Sequence, residues 1–471
     1  MQAKIFFGSN EVTKDNLSQR KSPYDGRVVS LMPICDVNDA KKALEIAQIA
    51  SKETKKTTIS QRCEWLLDVA KKLKQNKEDI AKTITDEVGK PITFSKGEVD
   101  RCIETVRLSA ETMRTMSGET INTDAMASGK KTIAFFRRES AGVVVAITPF
   151  NFPLNLIAHK IAPALVAGNA VVLKPTPEAP LTAYKFAKLF IESEYAIKDA
   201  LSVVYGDAEV GNALITSDIP RVISFTGSVP VGNIITKNAG IKKVSLELGG
   251  NAATYIDKSA DLDLAAFRCA LGAFVNSGQV CISLQRIYVN SEIYDEFANK
   301  MAQETKKLIV GSPYENDTFM GPLIDDESCN RAMVWVENAI KEGAKPLLSP
   351  RREGKMFYPC VMANVTDDMA IVCEEVFAPI VSLVSVDDFD DAMPRMNNSP
   401  FGLQFSVFTN DLAITKRAID ELEAGGIVIN DMPTLRFDIQ PYGGVKLSGV
   451  GREGPRFTIE EMTEIKSVVI A

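Results

Sequence analysis

The residues able to do chemistry in this 471-residue chain are few. There is one histidine, His159, against 8 cysteines: Cys35, Cys63, Cys102, Cys269, Cys281, Cys329, Cys360 and Cys373. A single histidine excludes zinc sites built on two or three imidazoles and leaves only His159 for a Cys–His or Ser–His pair. His159 falls inside "PLNLIAHKIAPALVAGN" and reads as a core histidine. A general base must then be a carboxylate, Lys or Tyr. No two cysteines form a CxxC pair, and in a chain of this size reduced thiols are expected rather than a disulfide framework. Within "NSGQVCISLQ" alone, Cys281 reads more readily as a small buried residue than as a nucleophile.

Other candidates stand where short apolar runs end. Glu247 closes "VSLE" just before two glycines. A carboxylate there is costly unless paired with a lysine or used as a base with a raised pKa. Asn151 in "PFNFP" reads as a helix N-cap or as an amide donor for a developing oxyanion. Lys174 follows "VVL" and is either a solvated loop lysine or a contact for ribose or phosphate. "FTGSVPVG" places Gly227 and Gly232 at a strand-to-helix turn, where an anion can approach a helix N-terminus. It is not G-x-G-x-x-G, so the dinucleotide fingerprint is absent.

The elements that must position these residues follow from periodicity. The first ~115 residues read as helical. "GETINTDAMASGKKTIAFFRRES" reads as a hairpin or arm. From Gly142, strand and helix alternate through "GVVVAI", "AVVLKP", "LSVVYG", "RVISFTG" and "KVSLELGG". That alternation predicts right-handed βαβ units and a parallel, doubly wound sheet, with ligands at the carboxyl ends of its strands. A second α/β segment runs from about Asn251 to Asn430, with strands at "RIYVN", "PIVSLVSV", "FSVFTN" and "GGIVIN". The β-like C-terminus can pair with the arm near 131–137 or with another subunit's arm.

The length predicts two or three domains. A net charge of -7 argues against nucleic-acid and anionic-membrane partners. The N-terminus has too short an apolar core for a signal peptide, and no run reaches the ~18 apolar residues of a spanning helix, so a cytoplasmic location is the default expectation.

"PFNFP", "LKPTPEAP", "ISFTGSVPVG", "LELGG", "NSGQVC", "EEVFAPI", "GLQFSVFTND" and "PYGGVKLSGVGREG" together resemble the aldehyde dehydrogenase superfamily, in its order and over nearly the whole chain. The spacing from Glu247 to Cys281, and from Asn151 to Lys174, also matches that family. The resemblance implies Cys281 as nucleophile, Glu247 as general base, and Asn151 with the Cys281 backbone N–H as oxyanion hole. It implies cofactor contacts at Thr148, Pro149, Phe150, Lys174, Gly211, Phe225, Thr226, Gly227, Ser228, Gly232, Leu248, Glu375 and Phe377. Glu375 would hold the nicotinamide-side ribose. The implied α/β fold has a Rossmann-type cofactor-binding domain (1–115 and 138–246), a catalytic domain (247–430), an oligomerisation arm (116–137 and 454–471) and a substrate-lining return segment (431–453). A homodimer or homotetramer is implied, and no metal is required.

Where the family often carries Glu, three residues after the lysine, this chain has Pro177, with Glu178 next. NADP is therefore expected to be accepted, with NAD left open. Non-phosphorylating glyceraldehyde-3-phosphate dehydrogenases carry Arg before the nucleophile; Val280 stands here and counts against a phosphorylated substrate. The lactaldehyde and succinate-semialdehyde group is the nearest in look, so a small hydroxy- or carboxy-aldehyde is the expected substrate. Arg436 or Arg101 can meet its polar end, whereas Arg107 reads as a surface residue. Alternatives are the glyceraldehyde-3-phosphate reaction, a CoA-acylating enzyme, which Glu247 disfavours, and a non-catalytic binding protein, which Cys281 and Glu247 together disfavour.

Overall fold

The β-branched runs after Gly142 pair with one another as buried strands. In the computed structural model, which describes residues 1–470, five of them form the parallel centre of an eight-stranded sheet. In spatial order these are Leu201–Val203, Ala170–Lys174, Val143–Ile147, Val222–Thr226 and Lys243–Glu247. The chain winds outward from Val143–Ile147 in both directions, so the loop after Ile147 opens at the point where strand order reverses. A crevice forms there because neighbouring connections leave to opposite faces. Register aligns the strand ends along one rim: Ile147 beside Lys174, and Thr226 beside Glu247.

Both edges of this sheet are antiparallel additions. Ile5–Phe7 pairs with Leu201–Val203 and with Asn10–Val12. The expectation of a helical N-terminus therefore fails from Met1 to Pro33, a segment that forms four short strands, including the hairpin Leu17–Lys21 with Val28–Pro33. Tertiary pairing to an open sheet edge decides these segments, and local periodicity does not report it. Helices begin at Val37–Thr54, where Asp36 and Asp39 form a capping box. The long helical pattern that follows is broken at Asn76 into Ile59–Gln75 and Lys77–Val88, and the second ends at Gly89 with φ +71°.

On the far edge, Gly449–Val450 pairs antiparallel with Leu246–Glu247. A Cβ at Gly449 would stand 2.0 Å from the Leu246 carbonyl, so only glycine allows this approach. The contact brings the C-terminal segment against the strand that carries Glu247.

The second sheet has seven strands in the spatial order Lys345–Leu348, Cys360–Ala363, Ile380–Val386, Leu284–Asn290, Ala252–Ile256, Gln404–Phe408 and Gly426–Ile429. All its pairings are parallel except the first. The "NAATYID" stretch is one of its inner strands and starts just after Gly250, so the chain steps from one sheet to the other at Leu248–Asn251.

Ile133–Ser140 pairs over its whole length with Thr463–Ile470 of the same chain, and Glu119–Thr120 lies on its other side. Ala471, the last residue of the expected arm, lies outside the described residues. Among the described residues no helix is long and apolar enough to cross a membrane.

Candidate active site

Between the two sheets lies a cavity of roughly 760 Å³, and among the described residues Cys281 is the one cysteine that lines it. Six of the other seven are buried elsewhere, and Cys373 is exposed. The turn that delivers Cys281 is unusual backbone. After the helix Leu262–Phe274, Asn276, Ser277 and Gly278 adopt φ of 51°, 56° and 73° in succession. Left-handed conformations cost an ordinary residue about 1–2 kcal/mol each, so the turn needs support from outside. Asn276 donates its amide to the Asn151 and Gln279 carbonyls at 3.3 Å each, and Ser277 Oγ donates to the Gly321 carbonyl at 2.8 Å. At Gly278 any Cβ would fall 2.3 Å from the Ala378 carbonyl.

Burial pushes the Cys281 thiol up to about 11, with the Tyr442 hydroxyl and the Arg436 charge pulling the other way. Tyr442 Oη lies 3.1 Å from Sγ.

Glu247 ends its strand 3% exposed, and neither carboxylate oxygen has a hydrogen-bond partner among the described residues. The lysine salt bridge weighed as an alternative is thus not formed by Glu247. Burial, with Glu453 adding, raises its carboxyl well above the ordinary range against Arg436, Lys160 and Arg452. Buried polar groups are nearly always paired, so an orphan carboxylate facing a cavity marks a place where water or substrate is handled.

Asn151 is not the cap of the helix that follows. That helix, Asn155–Val166, has the backbone N–H groups of Leu154 and Asn155 bound by Glu98 Oε1 instead. Asn151 Nδ2 donates to the Gln279 carbonyl at 3.1 Å, just before the cysteine.

The glycines after Glu247 permit close approaches. Gly250 N donates to Glu375 Oε1 at 2.9 Å, and a Cβ at Gly249 would stand 2.4 Å from Glu375 Oε2. A Cβ at Gly250 would stand 2.2 Å from the Cys281 carbonyl. Burial raises the Glu375 carboxyl to about 7, with the Gly250 amide and Arg331 opposing.

The expected cofactor contacts fall into two groups. Pro149, Phe150, Thr226, Gly227, Ser228, Leu248, Glu375 and Phe377 line the cavity itself. Thr148, Lys174, Gly211, Phe225 and Gly232 lie behind or beside it. Thr148 N donates to the Lys174 carbonyl at 3.3 Å, and a Cβ at Gly211 would sit 3.7 Å from Lys174 Cε. Lys174 is buried at its strand end rather than a solvated loop residue, and burial lowers its pKa against the charges of Glu178 and Asp207. Any Cβ at Gly227 would meet the Phe225 ring at 2.4 Å, and one at Gly232 would meet Leu248 at 2.8 Å. Thr148 and Thr226 each keep a buried hydroxyl without a partner among the described residues. Unsatisfied hydroxyls beside a glycine-lined crevice at the strand-order switch fit a dinucleotide. Glu178, one place after Pro177, turns its carboxylate to the Thr176 hydroxyl.

A buried charge cluster closes the opposite wall. Arg101 grips Asp438 through two bonds of 2.9 and 2.6 Å, and His159 Nε2 lies 2.9 Å from the same carboxylate. Arg436 reaches Glu453 at 3.4 Å and His159 at 3.3 Å, and Lys160 Nζ meets Glu453 at 2.9 Å. Against the upward push of burial, Lys160 foremost keeps Glu453 ionised. Arg101 and Arg436 both line the cavity, while Arg107 meets Glu104 and Glu111 on the surface of its own helix. His159 is a fully buried residue of the helix core, as expected, but its neighbours are this ionic cluster.

Sequence reasoning did not single out Tyr442, Asp438, Glu453 or Asn276. The first three lie in "RFDIQPYGG" and "GREG", whose spacing has no period that reports a place in or behind the cavity wall. For Asn276 the one signal in the sequence was its place in "NSGQVC".

The chain is similar to known proteins over nearly its whole length. The aldehyde dehydrogenase family matches residues 11–468. A 3-sulfolactaldehyde dehydrogenase of Priestia megaterium is 42% identical over 448 residues, covering 95% of this chain and 93% of that protein. A lactaldehyde dehydrogenase of Methanococcus aeolicus is 39% identical over 454 residues, covering 96% of each. The crystal structure of an NADP-dependent glyceraldehyde-3-phosphate dehydrogenase from Bacillus halodurans, complexed with NADP, superposes with a TM-score of 0.97 at 33% identity, covering 100% of this chain and 99% of that one. With matches of this extent, the chain belongs to the aldehyde dehydrogenase family, whose enzymes use NAD or NADP.

Proposed function

We propose that this protein oxidises a small 2-hydroxyaldehyde of the lactaldehyde type to its carboxylic acid, with NADP or NAD as hydride acceptor. The observation that carries this is the cavity in which Cys281, the orphan carboxylate of Glu247 and the Asn151 amide meet. Lactaldehyde and 3-sulfolactaldehyde, named for the relatives, share a hydroxyl next to the aldehyde carbon.

The chemistry follows from the residues. The Cys281 thiolate adds to the aldehyde carbon, and the carbonyl oxygen becomes an alkoxide. Asn151 and the Cys281 backbone N–H donate to that oxygen as charge develops. When bound, the nicotinamide accepts the hydride that leaves carbon, which converts the adduct to a thioester. Pro149, Phe150, Thr226, Gly227, Ser228, Leu248 and Phe377 would hold the cofactor along the cavity wall, with Glu375 on a ribose. Thr148, Lys174, Gly211, Phe225 and Gly232 would shape the crevice around it. Glu247 then takes a proton from water as it attacks the thioester, and the thiolate leaves.

Arg101 and Arg436 favour a polar or anionic substituent at the far end of the substrate. Val280 gives the wall beside Cys281 an apolar side chain, which favours this reading over a phosphorylated aldehyde. The domain division follows the same reading: 1–115 with 138–246 for the cofactor, 247–430 for catalysis, 431–453 lining the substrate, and 116–137 with 454–471 as an arm. That arm exposes Ile133, Ile465, Val469 and Ile470, which suits burial against a second copy in a homodimer or homotetramer.

The test is an aldehyde panel of lactaldehyde, succinate semialdehyde and glyceraldehyde-3-phosphate with NAD or NADP, with and without CoA, followed by reduced-nicotinamide absorbance. Highest kcat/KM on lactaldehyde, independent of CoA, supports the proposal. Preference for glyceraldehyde-3-phosphate, or a requirement for CoA, overturns it.

A further inference from the structure

We propose that Tyr442 is a catalytic residue, whose hydroxyl is the donor that holds Cys281 Sγ as a thiolate and aims it into the cavity. The inference rests on the reading of Cys281 as the reactive thiol.

The hydroxyl stands 3.1 Å from Sγ, and that sulfur is its only hydrogen-bond partner among the described residues. A neutral thiol accepts weakly, whereas a charged sulfur draws a charge-assisted bond, so this contact selects the thiolate. The donor is rigid. Tyr442 N donates to the Glu453 carbonyl at 3.0 Å, and Glu453 N returns a bond of 2.6 Å to the Tyr442 carbonyl. Val280, Ile282 and Leu403 pack in the same apolar cluster as its ring. The Arg436 guanidinium covers the ring at 3.6 Å from its centroid, a cation–π contact that draws electron density from the phenol and improves it as a donor.

On this proposal Tyr442 is the donor of the bond. Burial raises the phenol well above its ordinary pKa, so Tyr442 keeps the proton it needs to donate to a thiolate. The charged groups that bear on Sγ are Arg436, which favours thiolate, and Glu375 and Glu247, which oppose it. No histidine can assist, because His159 is engaged with Asp438. Tyr442 therefore supplies part of the stabilisation that a histidine gives in other thiol enzymes.

Tyr442→Phe keeps the ring and its packing and removes only the donor. The measurement is the rate of iodoacetamide alkylation at Cys281, mapped by peptide mass spectrometry, from about pH 6 to about pH 12. The expected result is an inflection displaced to higher pH by about one unit, with a rate about tenfold lower near neutrality. An unmoved inflection in folded Y442F, with wild-type melting and cofactor binding, overturns the proposal. Should Y442F not fold, 3-fluorotyrosine placed at position 442 keeps the shape and makes the phenol more acidic. It should move the inflection to lower pH, and an unmoved inflection again overturns the proposal. Alkylation needs no aldehyde, so failure of the substrate reading leaves this test intact.

Discussion

The side-chain amide of Asn151 donates to the Gln279 carbonyl at 3.1 Å, which ties the loop after the first central strand to the turn that carries Cys281. Asn151, just after a strand of one sheet, and Cys281, just before a strand of the other, are thus held together. Only one of the two amide protons is used in this bond, which leaves the other for a developing alkoxide. Asn151→Ala should lower kcat by about 10²–10³-fold, the usual cost of one oxyanion donor, with a much smaller change in cofactor Kd. Steady-state kinetics and fluorescence titration of the cofactor check the two together.

On the proposed mechanism Glu247 acts after hydride transfer, so its loss should separate the two halves of the reaction. Glu247→Gln should release about one equivalent of reduced nicotinamide per active site in the first turnover and then slow by about 10²-fold or more. Stopped-flow absorbance gives the burst. If E247Q lost the burst together with the steady state, the base assignment would be wrong.

The same carboxyl sets a pH dependence. Burial and Glu453 raise its pKa, and it must be deprotonated to take a proton from water. The protonated form of Glu247 therefore persists to higher pH than that of an ordinary carboxylate. The acid limb of kcat should therefore lie well above the ordinary carboxylate range and vanish from the residual rate of E247Q. A pH–rate profile under saturating substrate reads it directly.

Glu375 carries a linked stability effect. Its carboxyl is raised to about 7 in the folded chain, by burial foremost. The folded state then holds a proton that the unfolded state has already lost, so stability falls as pH rises from about 4.5 to about 7. The loss is on the order of 3 kcal/mol. Glu375→Gln should shrink the difference in denaturant midpoint between pH 5 and pH 8 without cofactor. A difference as large as in wild type would exclude this assignment.

Gly278 is the strictest position of the cysteine turn, with φ +73° and no room beside the Ala378 carbonyl. Gly278→Ala should cost about 1 kcal/mol from backbone conformation alone, and more from the clash. Because the turn sets where Sγ points, activity should fall further than the melting temperature implies. Gly354, with φ +58° and open space around it, is a control: Gly354→Ala should carry the backbone cost and leave kcat unchanged.

Much of this protein was legible in its sequence. The strands from Gly142 to Gly250 could be read because a parallel sheet covered on both faces needs continuous β-branched runs, and "VVVAI", "VVL" and "VISF" supply them. Glu247 and Asn151 could be singled out because strand ends in such a sheet are where ligands meet the chain, whereas Cys281 was named only through the resemblance to the aldehyde dehydrogenases. The segment from Met1 to Pro33 was misread because its strands exist through pairing with distant edges, such as Phe6 beside Val203. Tyr442 and Glu453 reach the cavity, with Asp438 bound to Arg101 and His159, in a segment that Gly449–Val450 docks on the strand of Glu247, remote from it along the chain. Local sequence sets which residues can form a strand, a turn or an acid. Which acid loses its partners and which thiol gains a hydroxyl neighbour depends on burial and proximity, and those exist only once the chain has folded.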